Sequence, residues 1–192
     1  STTNPNVIEG EVVDTLALPA GIPTFAQLLD SGRIRPGMQK MILGFEPESG
    51  QEISGTWAQL FSCGIGGLQG SGKTWLAAGQ LAQSALMGAR LVICDPNPND
   101  DESLSRRVAP LAPTFLCDIA SDDRAILEAL KLAKEKLERR KAGQAGRWDI
   151  VVAIDEWLAL RRGPLADLLP LLVESFSTEG RKYAVNCMLM AQ

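Results

Sequence analysis

The segment GLQGSGKT, from Gly67 to Thr74, has the residue types and spacing of a phosphate-binding loop. It matches the pattern GxxxxGK followed by Ser or Thr, and it lies between an apolar run and a helix-like segment, as this motif requires. Its glycines let backbone N–H groups converge on phosphate oxygens, and the start of the helix adds partial positive charge. The segment therefore predicts a nucleoside triphosphate site rather than a glycine-rich structural turn.

Two side chains of the loop are suited to the charged parts of a nucleotide. Lys73 would contact the β- and γ-phosphates of ATP, and the Thr74 hydroxyl would coordinate Mg²⁺. ATP and Mg²⁺ are thus the predicted cofactors. The predicted nucleotide-binding residues are Gly67, Leu68, Gln69, Gly70, Ser71, Gly72, Lys73, Thr74 and Trp75.

The segment IVVAIDE, residues 150–156, places two acids directly after an unbroken apolar run. Such a run predicts a strand buried on both faces, with Asp155 emerging at its C-terminal end as a second ligand to Mg²⁺. Glu156 follows at once and could orient and deprotonate an attacking water molecule. Alone this pattern is weak, and an acidic strand end without a special role stays open. Downstream of a complete phosphate loop, it predicts an ATPase.

Several nucleotide-dependent classes are disfavoured by motifs that the chain lacks. It has no NKxD or DxxG motif of the switch GTPases and no LSGGQ-like signature of ABC-type ATPases. Small-molecule kinases generally have no glutamate beside the Mg²⁺-binding aspartate, so water is the favoured phosphoryl acceptor. The chain also has no histidine, which excludes catalytic histidines, Ser-His-Asp triads and His-containing zinc sites.

The composition is that of a globular α/β protein. At 192 residues, 45% apolar and 22% charged, the chain is long enough for one domain with a buried core. It has no run of eighteen apolar residues and no basic signal-peptide start, so no direct membrane insertion is predicted. Its four cysteines lie in or beside apolar runs, which favours reduced thiols and a cytoplasmic location. The net charge of −4 disfavours simple coating of DNA, but not a ring with a basic lumen.

Apolar runs alternate with amphipathic stretches, which predicts a mainly parallel sheet with helices on both faces. We expect residues 1–22 to form an extended lead-in, residues 23–60 a helix and β-hairpin attached to the core, and residues 61–192 the P-loop ATPase core. Among the strands, 61–65 and 148–157 are expected to be buried. The predicted elements are a helix at 23–32, a hairpin at 40–54, strands at 61–65, 90–95, 111–118, 148–157 and 184–192, and helices from 73 to about 87 and from 122 to 143.

The segment 122–143 has the clearest helical pattern. Ser121 could cap its start, and Gly143 could close it. The basic residues before Gly143 could contact nucleic acid, but a solvated helix end that suits the macrodipole is favoured. One apolar stripe recurs at helical spacing and consists of Ile126, Leu130, Ala133 and Leu137.

Four segments together resemble the FtsK–HerA superfamily of P-loop ring ATPases, which includes DNA translocases, conjugation coupling proteins and related DNA pumps. The segments are GLQGSGKT, LVICDP, VVAIDEW and EGRKYAVNCMLMAQ. The similarity covers most of the chain from about residue 40. It implies a RecA-like (ASCE) fold, a homo-oligomeric ring such as a hexamer, and double-stranded DNA as the partner.

The resemblance also implies roles for two residues near the end of the chain. It places the last strand between the phosphate-loop strand and the acidic strand, with Gln192 at its end as a sensor of the γ-phosphate. It maps Arg181 onto an arginine offered in trans to the ATP of a neighbouring subunit, whereas a solvated helix end is the alternative for Arg181 and Lys182. The family's sheet has a further strand beside the phosphate-loop strand. We therefore expect that strand to be missing here and the 192 residues to belong to a longer chain.

Two basic segments could face DNA in such a ring. Arg161 and Arg162 precede a Gly-Pro break after the acidic strand, and RIRPGMQK at 33–40 is the second. Solvated charged turns explain both segments equally well. The favoured interpretation is an ATP-hydrolysing motor domain that moves double-stranded DNA. The alternatives are another ASCE ATPase, either a RecA-like helicase or recombinase or an AAA-type protein remodeller, and a slow regulatory ATP-binding module.

Overall fold

The computed structural model describes residues 21–144, 146 and 148–191. The expected lead-in lies almost entirely outside this range, as does Gln192, and the expected division after residue 60 stays a prediction. Short 3-10 helices occur at Ala109–Thr114 and Gly180–Tyr183. The other elements are α1 (Phe25–Asp30), β1 (Met41–Phe45), β2 (Glu52–Gly55), α2 (Trp57–Leu60), β3 (Cys63–Gly66), α3 (Lys73–Leu86), β4 (Arg90–Cys94), α4 (Leu104–Val108), α5 (Asp123–Lys141), β5 (Ile150–Ile154), α6 (Trp157–Leu160), α7 (Leu168–Thr178) and β6 (Val185–Ala191).

Four strands form one parallel sheet in the order β3, β6, β5 and β4. In its register Val152 of β5 lies between Val92 of β4 and Cys187 of β6. Parallel neighbours require connections that cross a face of the sheet, and helices supply them here. The sheet confirms the predicted α/β fold. Its order also confirms that the last strand lies between the phosphate-loop strand and the acidic strand.

The core lies on both faces of the sheet, because helices cover each of them. On one face α5 and α7 bury Leu130 and Phe176 against the strands. On the other face α3 and α4 bury Leu81 and Leu104. The central strand β5 is covered from both sides, and all five of its residues are buried. The predicted burial of this strand is thus confirmed.

Helix α5 confirms the predicted stripe, with a correction at its start. Asp122, not Ser121, is the N-cap, and its side chain accepts a hydrogen bond from the Ala125 N–H at 2.8 Å. Both residues are good capping types, so that only the backbone geometry decides between them. All four residues of the stripe are fully buried, namely Ile126, Leu130, Ala133 and Leu137.

The N-terminal part of the described chain packs against α3. A capping box between Thr24 and Gln27 begins α1, and β1 and β2 form the predicted antiparallel hairpin. The buried Gln83 side chain on α3 binds the backbone of β1. Its Oε1 accepts from the Ile42 N–H at 2.7 Å, and its Nε2 donates to the Ile42 carbonyl at 3.0 Å. One amide therefore satisfies both backbone groups of a strand residue, as a neighbouring strand would.

The predicted strand at 111–118 is wrong. Ala109–Thr114 form a 3-10 helix instead, and only two isolated bridges connect the residues after it to the rest of the sheet. Pro110 and Pro113 lie in this segment. Because proline has no N–H group to donate to a ladder, regular strand pairing cannot continue through it.

The expectation of a buried strand at 61–65 is also wrong. The observed strand, β3, is Cys63–Gly66, and its residues alternate between half-buried and exposed. In the described sheet β3 pairs only with β6, so it forms an edge. Helices α2 and α7 were not predicted either. Helix α7 lies mostly between the stretch 158–170, interpreted as a loop, and the last predicted strand, where no element was predicted, and its apolar residues complete one side of the core.

Candidate nucleotide site

The predicted phosphate loop connects β3 to α3. Gly70 and Gly72 have φ angles of 74° and 87°, a region that residues with side chains rarely adopt. A Cβ atom at Gly67 would lie 2.7 Å from the Ser71 hydroxyl oxygen, so a side chain there would displace Ser71. The local geometry therefore uses all three glycines that the motif predicts.

The Lys73 side chain folds over this loop. Its Nζ donates to the Gly67 carbonyl and to the Leu68 carbonyl, each at 2.8 Å. Lys73 is also the first residue of α3, whose N-terminal N–H groups point toward the loop. The ammonium group and the helix N-terminus thus place positive charge at the same end of the sheet.

Asp155 and Glu156 follow β5 at the C-terminal edge of the sheet. Asp155 Oδ1 accepts a hydrogen bond from the Glu156 N–H at 2.8 Å. Glu156 has φ 51° and ψ 39°, a left-handed conformation that is uncommon for a residue with a side chain. Such backbone geometry occurs often at functional sites, where the surrounding fold must hold it. The turn fixes the direction in which both carboxylates leave the strand.

The environment of Asp155 favours its protonated form. Burial raises the pKa of this carboxyl to about 6, and the Glu156 N–H opposes the rise by donating to the carboxylate. The negative charges of Asp95 and Glu156 raise the pKa further, whereas Lys73 lowers it. A bound cation would favour the ionised carboxylate, so this position is suited to a metal ligand.

The motifs do not identify a third acid, Asp95, which follows β4 and is only 1% exposed. Its carboxylate accepts from the Asn97 N–H, the Ser105 N–H and the Ser105 hydroxyl at 2.6 to 2.9 Å. Cys94 and Ile154 are paired in the sheet, so that Asp95 and Asp155 emerge side by side. The sequence does contain a signal for Asp95, since it ends the apolar run LVIC as Asp155 ends IVVAI.

One surface cavity brings these groups together. It is lined by the loop from Gln69 to Trp75, by Asp155 and Glu156, and on a further side by Asp95 and Arg107. Of the predicted nucleotide-binding residues, the first two residues of the loop do not line it. The cavity therefore unites two motifs that are about eighty residues apart in the chain.

The cavity fits Mg²⁺ held together with a nucleotide. Thr74 and Asp155 both line it. Mg²⁺ in nucleotide sites is typically bound by one or two protein oxygens, with phosphate and water completing the octahedron. Within the described residues, no group of three or more His, Cys, Asp or Glu side chains is arranged to hold a metal by itself. The donor set thus suits a metal that arrives with phosphates.

Other predicted site residues lie away from this cavity. Arg181 belongs to the 3-10 helix before β6, and its Cζ lies 3.8 Å from the centre of the Phe61 ring. Arg161 and Arg162 follow α6 and are exposed, and the Arg161 guanidinium faces the Trp157 ring. None of these three arginines lines the cavity. Gln192 lies outside the described residues, although the preceding strand β6 ends next to the loop.

Several solved structures share this fold. EssC (ATPases 2 and 3) from Geobacillus thermodenitrificans matches 83% of this chain and 34% of its own, with a TM-score of 0.63 and 16% identity. EccC (ATPases 2 and 3) from Thermomonospora curvata, in complex with a signal sequence peptide, matches 91% and 31%, with a TM-score of 0.58 and 15% identity. The pCW3 conjugation coupling protein TcpA, a monomer form with ATPγS, matches 82% and 49%, with a TM-score of 0.58 and 18% identity. The chain therefore has the same α/β fold as the ATPase domains of EssC and EccC.

The similarity covers only part of these proteins. The chain spans about a third of the length of the EssC and EccC structures and about half of the TcpA structure. No protein family and no curated protein matches its sequence. At such low identities the shared fold is what the comparison shows. Among the described helices, none combines the length and apolar character needed to cross a bilayer.

Proposed function

We propose that the chain is an ATPase domain that hydrolyses MgATP and drives the movement of a polymer. The observation that carries this proposal is the convergence of the phosphate loop, Asp155 and Glu156 on one cavity. That cavity lies at the C-terminal ends of parallel strands, which is where open α/β sheets bind ligands. The ATPase domains that share the fold support the same reaction.

The cavity residues have complementary roles in the proposed reaction. Lys73 would exchange the carbonyls of the loop for the β- and γ-phosphates of ATP. Thr74 and Asp155 would hold Mg²⁺, which neutralises the charge that develops on the phosphates. Glu156 would orient the attacking water molecule and accept its proton. The left-handed backbone of Glu156 would direct its carboxylate away from that of Asp155, so that one carboxylate can bind the metal and the other the water molecule.

We propose that Arg181 contacts the nucleotide of a neighbouring subunit and that Gln192 senses the γ-phosphate of its own subunit. Arg181 is exposed and lies outside the cavity of its own chain, which is compatible with contact to the nucleotide of a neighbouring copy. A trans arginine of this kind typically contributes about 10³- to 10⁵-fold in rate. Gln192 would follow β6 between β3 and β5, and so would meet the γ-phosphate. The role of Arg181 requires a homo-oligomeric ring, for which a hexamer is the proposed form.

Double-stranded DNA is the proposed cargo. A conjugation coupling protein shares the fold, and the exposed Arg161 and Arg162 offer positive charge for phosphate contacts. A polypeptide is the second candidate, because one structure of the same fold holds a signal sequence peptide. The proposal for DNA rests on the positive charge of these arginines alone, so contact with the DNA backbone is the proposed mode of binding.

Steady-state ATP hydrolysis by the 192-residue chain tests both levels of the proposal. The rate would be measured alone, with duplex DNA, and with an unfolded polypeptide, for the wild-type chain and the Glu156→Gln variant. Glu174→Gln, an exposed acid on α7, is the matched control. We expect Glu156→Gln to lower kcat by about 10²- to 10⁴-fold, since general-base catalysis is typically of this size. The control should keep the wild-type rate.

The outcomes separate the candidates. Stimulation by duplex DNA that disappears in Glu156→Gln supports a DNA motor, whereas stimulation by polypeptide alone moves the assignment to a protein substrate. A slow rate indifferent to both would indicate a regulatory ATP-binding module. If Glu156→Gln hydrolyses ATP at the wild-type rate, Glu156 is not the base and the proposed mechanism is wrong.

A further inference from the structure

A stacked pair of side chains, Trp75 and Arg107, forms one wall of the cavity. The Arg107 Cζ lies over the Trp75 ring, 3.8 Å from its centre, which is well within the range of a cation–π contact. Trp75 directly follows Thr74 in α3, and Arg107 belongs to α4, which packs against α3. The pair therefore lies directly beside the C-terminal end of the phosphate loop.

Trp75 remains exposed even though a guanidinium covers part of its ring. It is 66% exposed, whereas Trp148 is 43% exposed and Trp57 is 2% exposed. A large aromatic side chain that lies open at the mouth of a polar cavity has apolar surface available to a ligand. A nucleobase is a ligand that stacks on such a surface, and every base has a face suited to it.

The Arg107 guanidinium makes no salt bridge and leaves one nitrogen without a hydrogen bond among the described residues. Its Nε is buried without a hydrogen-bond partner among the described residues, and none of the salt bridges there involves it. The adjacent Arg106 differs, because it pairs with Asp101 and also donates to the Asn99 carbonyl. Arg107 is therefore held at the cavity by its contact with Trp75 and not by an ion pair within the described residues.

We propose that Trp75 and Arg107 together form the platform for the nucleobase and favour purine over pyrimidine nucleotides. This inference rests on the proposed function, since it assigns the nucleoside part of the same site. The loop would bind the phosphates, and the base would stack on the face of the Trp75 indole that Arg107 leaves open. Arg107 would hold the indole from its other side, and the larger purine ring would cover more of the open face than a pyrimidine ring does.

Two other roles for the pair give different results. If Arg107 acts only as a second cation for the phosphates, its loss weakens the binding of inorganic triphosphate as much as that of ATP. If the pair only connects α3 to α4, its loss lowers the melting temperature and leaves nucleotide binding unchanged. A base platform affects nucleotides according to their base and leaves inorganic triphosphate unaffected.

The test is equilibrium binding of ATP, ADP, CTP and inorganic triphosphate, each with Mg²⁺, to the 192-residue chain by calorimetry. The variants are Trp75→Ala and Arg107→Ala, with Trp75→Phe and Arg107→Lys as conservative partners. Trp148→Ala is the control, because that exposed tryptophan also lies near an arginine but is outside the cavity. We expect Trp75→Ala to weaken ATP and ADP by about five- to 150-fold, the usual range for one stacked base.

The same variants should bind inorganic triphosphate like the wild-type chain and lose the preference for ATP over CTP. Trp75→Phe should keep most of that preference, and Arg107→Lys should lose more of it, because an ammonium group cannot stack as a plane.

Equal weakening of triphosphate and ATP, or unchanged nucleotide binding in both alanine variants, would overturn the inference. A wild-type chain that binds triphosphate and ATP but shows no base preference also overturns it, and leaves the proposed ATPase standing. A wild-type chain that binds none of the four ligands overturns the proposed function itself.

Discussion

The two strands that carry the site are built in opposite ways. Strand β5, which ends at the two acids, lies inside the sheet with every residue buried. Strand β3, which leads into the phosphate loop, lies at the edge of the described sheet and alternates between half-buried and exposed residues. In the proposed site the loop would bind phosphate through backbone N–H groups, glycine geometry and one lysine, which do not need a buried strand. The carboxylates need a fixed position and low solvation, which the buried strand provides.

This contrast predicts that Lys73→Ala affects activity far more than stability. We expect ATP hydrolysis to fall by about 10²- to 10³-fold, because a cation aimed at the transferring phosphate is lost. The free energy of unfolding should change by no more than about 1 kcal/mol, since the two hydrogen bonds of Lys73 are made to an exposed loop. Hydrolysis assays and thermal denaturation measure the two effects. A large drop in melting temperature would show that the lysine supports the loop as well as binding phosphate.

Matched isoleucines in the two strands should differ in their contribution to stability. Ile150 begins β5 and is 1% exposed, whereas Ile65 in β3 is only half-buried. Ile150→Ala should lower the free energy of unfolding by about 2–5 kcal/mol, as is usual for a fully buried site. Ile65→Ala should cost about 1 kcal/mol, because the solvent already reaches part of the side chain. Urea denaturation checks both values, and equal losses would contradict the description of β3 as an open edge.

The raised pKa of Asp155 means that this group contributes more to the stability of the ligand-free chain at low pH than at neutral pH. The folded chain holds this proton up to a pKa of about 6, compared with about 3.8 in the unfolded chain. Between these values the folded state binds more protons, so the contribution of Asp155 to stability falls as the pH rises from about 4 to about 6. Above that range both states are ionised, and the contribution becomes constant.

The Asp155→Asn variant provides the comparison, because it cannot titrate. Measured in chelator without nucleotide, its melting temperature relative to wild type should increase between pH 4 and pH 6 and then level off. A difference that does not vary with pH would show that the buried strand does not perturb this carboxyl.

The smallest expected effect is a difference in thiol reactivity between the edge strand β3 and the interior strand β6. All four cysteines are free. Burial raises the pKa of Cys63 in β3 to about 11 and that of Cys187 in β6 to about 12. Both thiols should react slowly with iodoacetamide at pH 8, because little thiolate is present. Cys63 is half-buried and should react before Cys187, which is buried and should react only on unfolding. Mass spectrometry over time would show the order, and simultaneous labelling would contradict it.

The sequence predicts the parts of the site in which residue type determines geometry. Gly70, Gly72, Lys73 and Asp155 occur at positions where only a few residue types work, so their spacing alone identifies them. Arg107 has no such pattern, because it enters the cavity through the packing of α4 on α3. Its contact with Trp75 joins positions about thirty residues apart and can be recognised only in the folded chain.

The sequence predicts elements well where the apolar pattern of a segment is strong. It predicts them poorly where packing neighbours determine whether a segment is buried. The stripe of α5 and the apolar run of β5 specify their own burial. The run FSCGI is as apolar as a central strand, and only the absence of a described neighbour on one side makes β3 an edge. Helix α7 begins with LLPLL, in which Leu169 is buried and Leu171 is exposed, and Pro170 lies in its first turn. An apolar run containing a proline indicates neither a helix nor a strand by itself.

The bond between Gln83 and the backbone of Ile42 has a mechanical consequence. Gln83 is ten residues after Lys73 in the same helix, a distance of about 15 Å along the axis. A helix is stiff over this length, so α3 links the position of the hairpin rigidly to that of the phosphate loop. Any tilt of the helix on nucleotide exchange must carry the hairpin with it or break a buried amide contact. The surface of β1 and β2 would therefore report the state of a loop that it does not touch.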